Sequence, residues 1–217
     1  MTRLGRAGAA VSISKRLQSG SCDSLVRKLA TPTAAAKAML ALVATAAVSV
    51  SLISAPGLIG PLGAGLALVM LAIALVDWQR FIIPNRLNIA AGGLALLHAA
   101  AQEPETMLQA VAIAALRGFA VAFMFYALRF GYARMRRRQG LGLGDVKLAF
   151  VAGAWLDWVM IPVAIQLAAF AALSAYLVRQ LVSGQAISVI NRLPFGLFLA
   201  PAIWLCWLLE VRWMAAF

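Results

Sequence analysis

Hydrophobic positions along this chain fall in long unbroken runs rather than in alternation. A polar, basic stretch over 1–33 comes first, carrying Arg3, Arg6, Lys15, Arg16, Arg27 and Lys28. Apolar runs follow at about 34–55, 62–77, 87–101, 107–130, 146–156 and 161–182, and a last one ends near Trp213. Runs of about 20 apolar residues are long enough, as helices, to cross a bilayer. Breakers separate them. Pro56-Gly57 and Gly60-Pro61 mark a tight turn. Ile83-Pro84-Asn85 forces an extended backbone, because the residue before proline disfavours the helical region. Gln102–Thr106 is a short acidic turn, and Ser183-Gly184-Gln185 opens a polar one that carries Asn191 and Arg192. The fifth run is short. The pattern predicts an all-α, polytopic membrane helix bundle of about seven apolar segments. It divides into a basic tail (1–33), an extra N-terminal transmembrane helix (34–55) and a membrane domain (58–217). The tail before the first run resembles a signal peptide, but no A-x-A site closes that run.

Composition supports this reading. The chain is 64% hydrophobic and 12% charged, with a mean hydropathy of +0.91. The net charge of +12 is assigned to basic loops on the cytoplasmic side of a bilayer. Nucleic acid is not an expected partner, since aromatic and basic residues are not interleaved. Basic flanks at 1–33, 77–86, 129–147 and 179–192 share one side, and Glu103 and Glu105 mark the other. This orientation puts the N-terminus in the cytoplasm and the C-terminus outside, provided that the fifth run crosses. Arg129, Arg134, Arg136, Arg137 and Arg138 read as an anchor at anionic headgroups. Trp155 and Trp158 read as interfacial anchors, and Asp157 as a solvated boundary acid. Cys22 and Cys206 are isolated, and His98, the single histidine, reads as a packing or interfacial residue. No transition-metal site and no cofactor is expected from these residues.

Two of the 7 acidic residues stand out. Asp77 closes the second apolar run. Asp145 ends the glycine-rich run Gly140-Leu141-Gly142-Leu143-Gly144 and is followed by Val146-Lys147. A carboxylate at the mouth of an apolar segment is costly without a partner or a task. By the orientation above, both fall at the cytoplasmic face. Two carboxylates held close share one proton, so one can take a proton from water while the other polarises a carbonyl. That is a route to peptide hydrolysis without metal or nucleophilic side chain. The glycines allow close approach of an extended substrate. The residues alone leave other roles open. Asp145 fits a helix cap, and Asp77 fits a salt bridge to Arg80 or Lys147. Paired membrane acids also occur in proton- or cation-coupled transporters, although the chain shows no internal repeat. A membrane subunit that keeps such a fold without the chemistry is a third reading, against which both aspartates count.

Gly142-Leu143-Gly144-Asp145-Val146-Lys147 resembles the GxGDxK motif of the type IV prepilin peptidases, membrane aspartyl proteases of the GxGD class. Asp77 followed by Ile83-Pro84-Asn85 is similar to their first-aspartate segment, and 148–156 to the helix after their second aspartate. Leu193-Pro194-Phe195-Gly196-Leu197-Phe198-Leu199-Ala200 resembles their late PFGPFL-like segment, with Leu197 where proline is usual. The resemblance implies a six-helix GxGD-protease core. It implies an aspartic endopeptidase that removes the short basic leader of type IV prepilins or type II pseudopilins at the cytoplasmic face of the inner membrane. It assigns Asp77 and Asp145 to catalysis, and Gly142, Gly144, Lys147, Pro84 and Asn85 to the surrounding motif. An archaeal-type preflagellin peptidase is a close neighbour of this reading. Long members carry an N-terminal domain with paired CxxC motifs associated with N-methylation. This chain has 2 cysteines, so cleavage without methylation is expected.

Overall fold

The computed structural model describes residues 34–136, 142–183 and 195–214. The basic tail, Arg137 and Arg138, Gly140 and Leu141, and the turn carrying Asn191, Arg192 and Pro194 lie outside the described residues. Among these residues seven helices follow one another: α1 (Ala34–Ser54), α2 (Ile59–Arg80), α3 (Asn85–Gln102), α4 (Met107–Arg136), α5 (Leu143–Trp155), α6 (Met160–Ser183) and α7 (Phe195–Met214). They correspond to the seven apolar runs. No strand occurs among the described residues. Helices α1, α2, α4, α6 and α7 are long and apolar enough to cross a membrane. The protein is an all-α polytopic membrane bundle. At 13 residues, α5 is about 20 Å long, short of the roughly 30 Å of a hydrocarbon core.

The chain divides between Val43 and Ala44 into two units. The first contributes only residues 34–43 of α1 to the described part. The second runs from Ala44 to Phe217 and contains all that follows. Its centre is α5. Leu148, Ala149, Val151, Ala152, Ala154 and Trp155 are all at most 2% exposed. Helices α3, α4, α6 and α7 pack around it, while α2 packs on α3 and α7, and α6 on α7. Large side chains on the outer faces, such as Leu116, Phe119 and Phe123 of α4 and Leu181 of α6, are exposed, as a lipid-facing surface requires. Small residues set the closest contact. A Cβ on Gly153 would lie 2.8 Å from the Arg117 carbonyl and 3.0 Å from Gly118 Cα, so α4 and α5 meet backbone to backbone.

The C-terminal end of α5 is a closed polar and aromatic knot. Arg117 Nε donates to the Gly153 carbonyl at 2.7 Å, and its Nη1 pairs with Asp157. The Asp157 amide donates to Glu210 at 3.5 Å. His98 stacks on Trp155 with ring centroids 4.6 Å apart, and Trp207 Nε1 donates to His98 Nε2 at 3.2 Å. Two expectations change here. Trp155 is a core residue and not an interfacial anchor, because α5 is surrounded on all sides; Trp158 is the exposed one. Asp157 is exposed, yet it is ion-paired to a largely buried arginine.

Candidate active site

At the other end of α5, four helix termini converge. Helix α2 runs three residues past Asp77 and stops at Arg80, where Phe81 turns left-handed (φ 54°) and its amide donates back to the Asp77 carbonyl at 2.9 Å. Pro84, with φ −64° and ψ 133°, then delivers the chain into α3 at Asn85. The fixed proline φ suits this corner, and the connection is short enough to make α2 and α3 an antiparallel pair. Between these points Ile83 is buried.

Asp145 sits in the first turn of α5. Its Oδ2 accepts the Gly142 amide at 3.1 Å, so the carboxylate folds back over its own helix start, where the free N–H groups lie. Lys147, two residues on, donates Nζ to Asn85 Oδ1 at 2.6 Å and ties α5 to α3. The Asp77 side chain is 5% exposed. Its Oδ2 accepts the Leu197 amide at 2.9 Å and also faces the Gly196 amide, both in the first turn of α7. The last turn of α2 is thereby plugged into the start of α7.

Glycine makes this approach feasible. A Cβ on Gly196 would lie 2.8 Å from Asp77 Oδ2 and 2.7 Å from Ile83 Cδ1. A Cβ on Gly144 would lie 3.1 Å from Ile83 Cβ. Ile83 is thus an apolar wedge between the starts of α5 and α7. The two aspartates stand close enough for the charge of one to act on the other, with Arg129 of α4 also in range of Asp145. Asp145 lies outside the spanning helices. Burial, opposed by the Gly142 amide and assisted by the charge of Asp77, holds its carboxyl up at about 6, well above the ordinary 3.8.

All seven residues singled out in the sequence are among the described ones and lie at this end: Asp77, Pro84, Asn85, Gly142, Gly144, Asp145 and Lys147. Asp77 makes no ion pair with Arg80 or Lys147 among the described residues. Among those residues, too, no group of three or more His, Cys, Asp or Glu stands together as a metal cluster. The sequence reading noted Ile83, Gly196 and Leu197 as parts of family-like segments and gave none of them a place in the site. The physical signal was Phe195-Gly196 beside a new apolar run, because a glycine at a helix start lets another group reach the free amides.

Residues 64–177 match the type IV leader peptidase family. The chain belongs to the type IV leader peptidase family. It is therefore a peptidase, and the match runs from α2 into α6, with both aspartates inside it. The relatives agree. Leader peptidase HopD of Salmonella typhimurium is 35% identical over 134 residues, which are 61% of this chain and 82% of that one. Leader peptidase HopD of Escherichia coli is 34% identical over 126 residues, 58% of this chain and 78% of that one. The prepilin leader peptidase/N-methyltransferase of Aeromonas hydrophila is 30% identical over 169 residues, 76% of this chain. The chain spans about half, 54%, of that longer relative. No solved structure matches the chain. Membership of a peptidase family decides against the transporter. Helix α7, whose first turn holds Asp77, lies beyond the matched segment.

Proposed function

We propose that Asp77 and Asp145 are the catalytic pair of an aspartic endopeptidase. Its substrates are type IV prepilins or type II pseudopilins, whose short basic leader it removes at the cytoplasmic face of the inner membrane. The observation that carries this reading is the convergence of the two carboxyls, from different helices, within range of each other's charge. A single proton shared by such a pair leaves one member to deprotonate a water and the other to polarise the scissile carbonyl. The apolar wall around Ile83 strengthens both interactions by excluding solvent.

The surrounding residues have parts in this reading. The α7 amides orient the Asp77 carboxylate, Gly142 orients Asp145, and the Lys147–Asn85 bond sets the spacing of α3 and α5. The family match and the names of the HopD and prepilin relatives support the leader substrate. The basic flanks support the cytoplasmic side, with the N-terminus in the cytoplasm.

The test is in membranes. The protein is co-expressed with a prepilin or a type II pseudopilin, and leader loss is followed by mass. Wild type is expected to cleave, and Asp77→Asn and Asp145→Asn are expected to accumulate uncleaved substrate at equal protein levels. Cleavage retained by either asparagine variant overturns the aspartate pair.

A further inference from the structure

Inside a membrane bundle neither lipid nor core offers hydrogen bonds, so buried polar side chains pair with one another or with backbone. At the aspartate end one side chain does not. Asn88 of α3 is 7% exposed, and neither its Oδ1 nor its Nδ2 has a hydrogen-bond partner among the described residues. Its neighbours on the same face, Ala91 and Ala95, are apolar and 0% exposed. Packing alone is served better at this position by an apolar side chain, since an orphaned amide costs free energy.

Its location is specific. Asp77 lies three residues before the end of α2 and Asn88 three residues after the start of α3, so the antiparallel pair holds them at about the same depth. Asn85, Asn88 and Gly92 form one stripe along α3. The upper member of that stripe bonds Lys147 of α5, and a Cβ on the lower would lie 3.4 Å from the Phe150 ring of α5. Asn88 therefore lies on the seam between α3 and α5, one turn below the Lys147–Asn85 bond and level with the aspartate of α2.

We propose that Asn88 binds substrate, its carboxamide pairing with the backbone of the peptide held across the two aspartates. This rests on the aspartate reading above. A peptide must be extended at the bond to be cut, so its own N–H and C=O groups are unpaired there. In a seam walled by apolar side chains such as Ala91 and Phe150 those groups need polar partners. A carboxamide matches the peptide backbone in kind: Nδ2 donates to a carbonyl and Oδ1 accepts an N–H. In an extended chain the N–H and C=O of one residue face the same side, so the free pair on Asn88 is the complement of one substrate residue.

The experiment uses the full chain, purified in detergent, with a prepilin as substrate. Wild type, Asn88→Leu, Asn88→Ser and, as a control, Asp145→Asn are compared for kcat, KM and thermal unfolding midpoint. Leucine keeps the branched outline at a larger volume and removes both hydrogen-bonding groups. It is expected to unfold at the same temperature or higher, to raise KM about tenfold or more, and to leave kcat within about threefold. Serine, which keeps a donor and an acceptor, is expected to fall between the two. An unchanged KM overturns the proposal. So does a fall in midpoint together with activity, which would make Asn88 a structural residue bonded to internal water. A loss of kcat at constant KM also overturns it, by placing the side chain's effect on the aspartates and not on substrate. Cleavage by Asp145→Asn sinks the aspartate reading itself, and that control tells the two failures apart.

Discussion

The two ends of α5 solve the same problem in opposite ways. At its C-terminal end, Arg117 binds a helix carbonyl and Asp157, and the imidazole of His98 is stacked on one indole and bonded to another. Most polar side chains there have a side-chain or backbone partner, while Trp155 Nε1 is unpaired among the described residues and Glu210 stands beside the Asp157 carboxylate. At its N-terminal end two carboxyls stand within range of each other's charge, each bonded to a backbone amide at a helix start, and a buried carboxamide has no hydrogen-bond partner among the described residues. The first arrangement is centred on an oppositely charged pair and stacked rings, the second on two carboxyls and an orphaned carboxamide, the groups that the proposed reaction would use. This is what separates an anchoring end from a working end in a bundle whose core is continuous between them.

The sharpest way to break the comparison is to disarm the working end. Asp77→Asn and Asp145→Asn keep shape and remove the titratable proton. Each is expected to lower cleavage by at least about 10²–10⁴-fold, the usual scale for a general acid or base. Thermal midpoints in detergent should stay at or above wild type, because a repelling charge is gone. A midpoint well below wild type in both variants would show the pair to be structural.

Gly196→Ala comes next. The added Cβ would lie 2.8 Å from Asp77 Oδ2, so the carboxylate or the start of α7 must shift. If Asp77 is catalytic as proposed, a displacement of this size is expected to lower kcat by roughly 10–100-fold. Wild-type kcat in this variant would remove α7 from the site.

Much of this was legible in the sequence and some was not, for a physical reason. Apolar run length is a local property, so the seven helices were visible. The start of α5 was also local: Asp145 caps it through Gly142, three residues away. The turn at Pro84 follows from proline itself. Contacts between helices distant in sequence are another matter. The Asp77–Leu197 bond joins residues 120 positions apart, and nothing in either run says that α2 and α7 are neighbours. Trp155 was misassigned on the same account. An indole beside Leu156 and Asp157 has the composition of a membrane interface, and only the encirclement of α5 reveals it as core. Arg117 attracted no notice as one arginine in an apolar run, although a buried charge at that depth requires a partner.

The anchoring end is tested by Arg117→Met, which keeps an unbranched apolar stem and removes the guanidinium. The bond to the Gly153 carbonyl and the pair with Asp157 both go. A loss of about 1–3 kcal/mol is expected, read as a lower thermal midpoint or a lower denaturant midpoint. Cleavage well below the new midpoint should stay within a few-fold of wild type, because the aspartates lie at the far end of α5. A stable variant without activity would mean that the two ends are coupled, and that the division drawn above is wrong.

The smallest effect is the most specific to the working end. Burial raises the Asp145 carboxyl to about 6, from 3.8 in the unfolded chain. Between these values the folded protein binds more protons at this site than the unfolded one. Stability therefore falls as pH rises through that window, opposite to the behaviour of a carboxylate in a salt bridge. The contribution of Asp145 is largest below about pH 4 and is spent above about pH 6. Unfolding midpoints of wild type and Asp145→Asn, measured from pH 4 to 7, should converge at the acid end, with the wild type dropping relative to the variant as pH rises. In the proposed mechanism activity follows the same proton. Once both carboxyls are ionised none remains to polarise the carbonyl, so cleavage should decline on the alkaline side with a midpoint at or above about 6. Parallel midpoint curves for the two proteins would mean that Asp145 is not held in its neutral form by burial. The distinction between an end built for stability and an end built for chemistry would then have to rest on Asp77 and Asn88 alone.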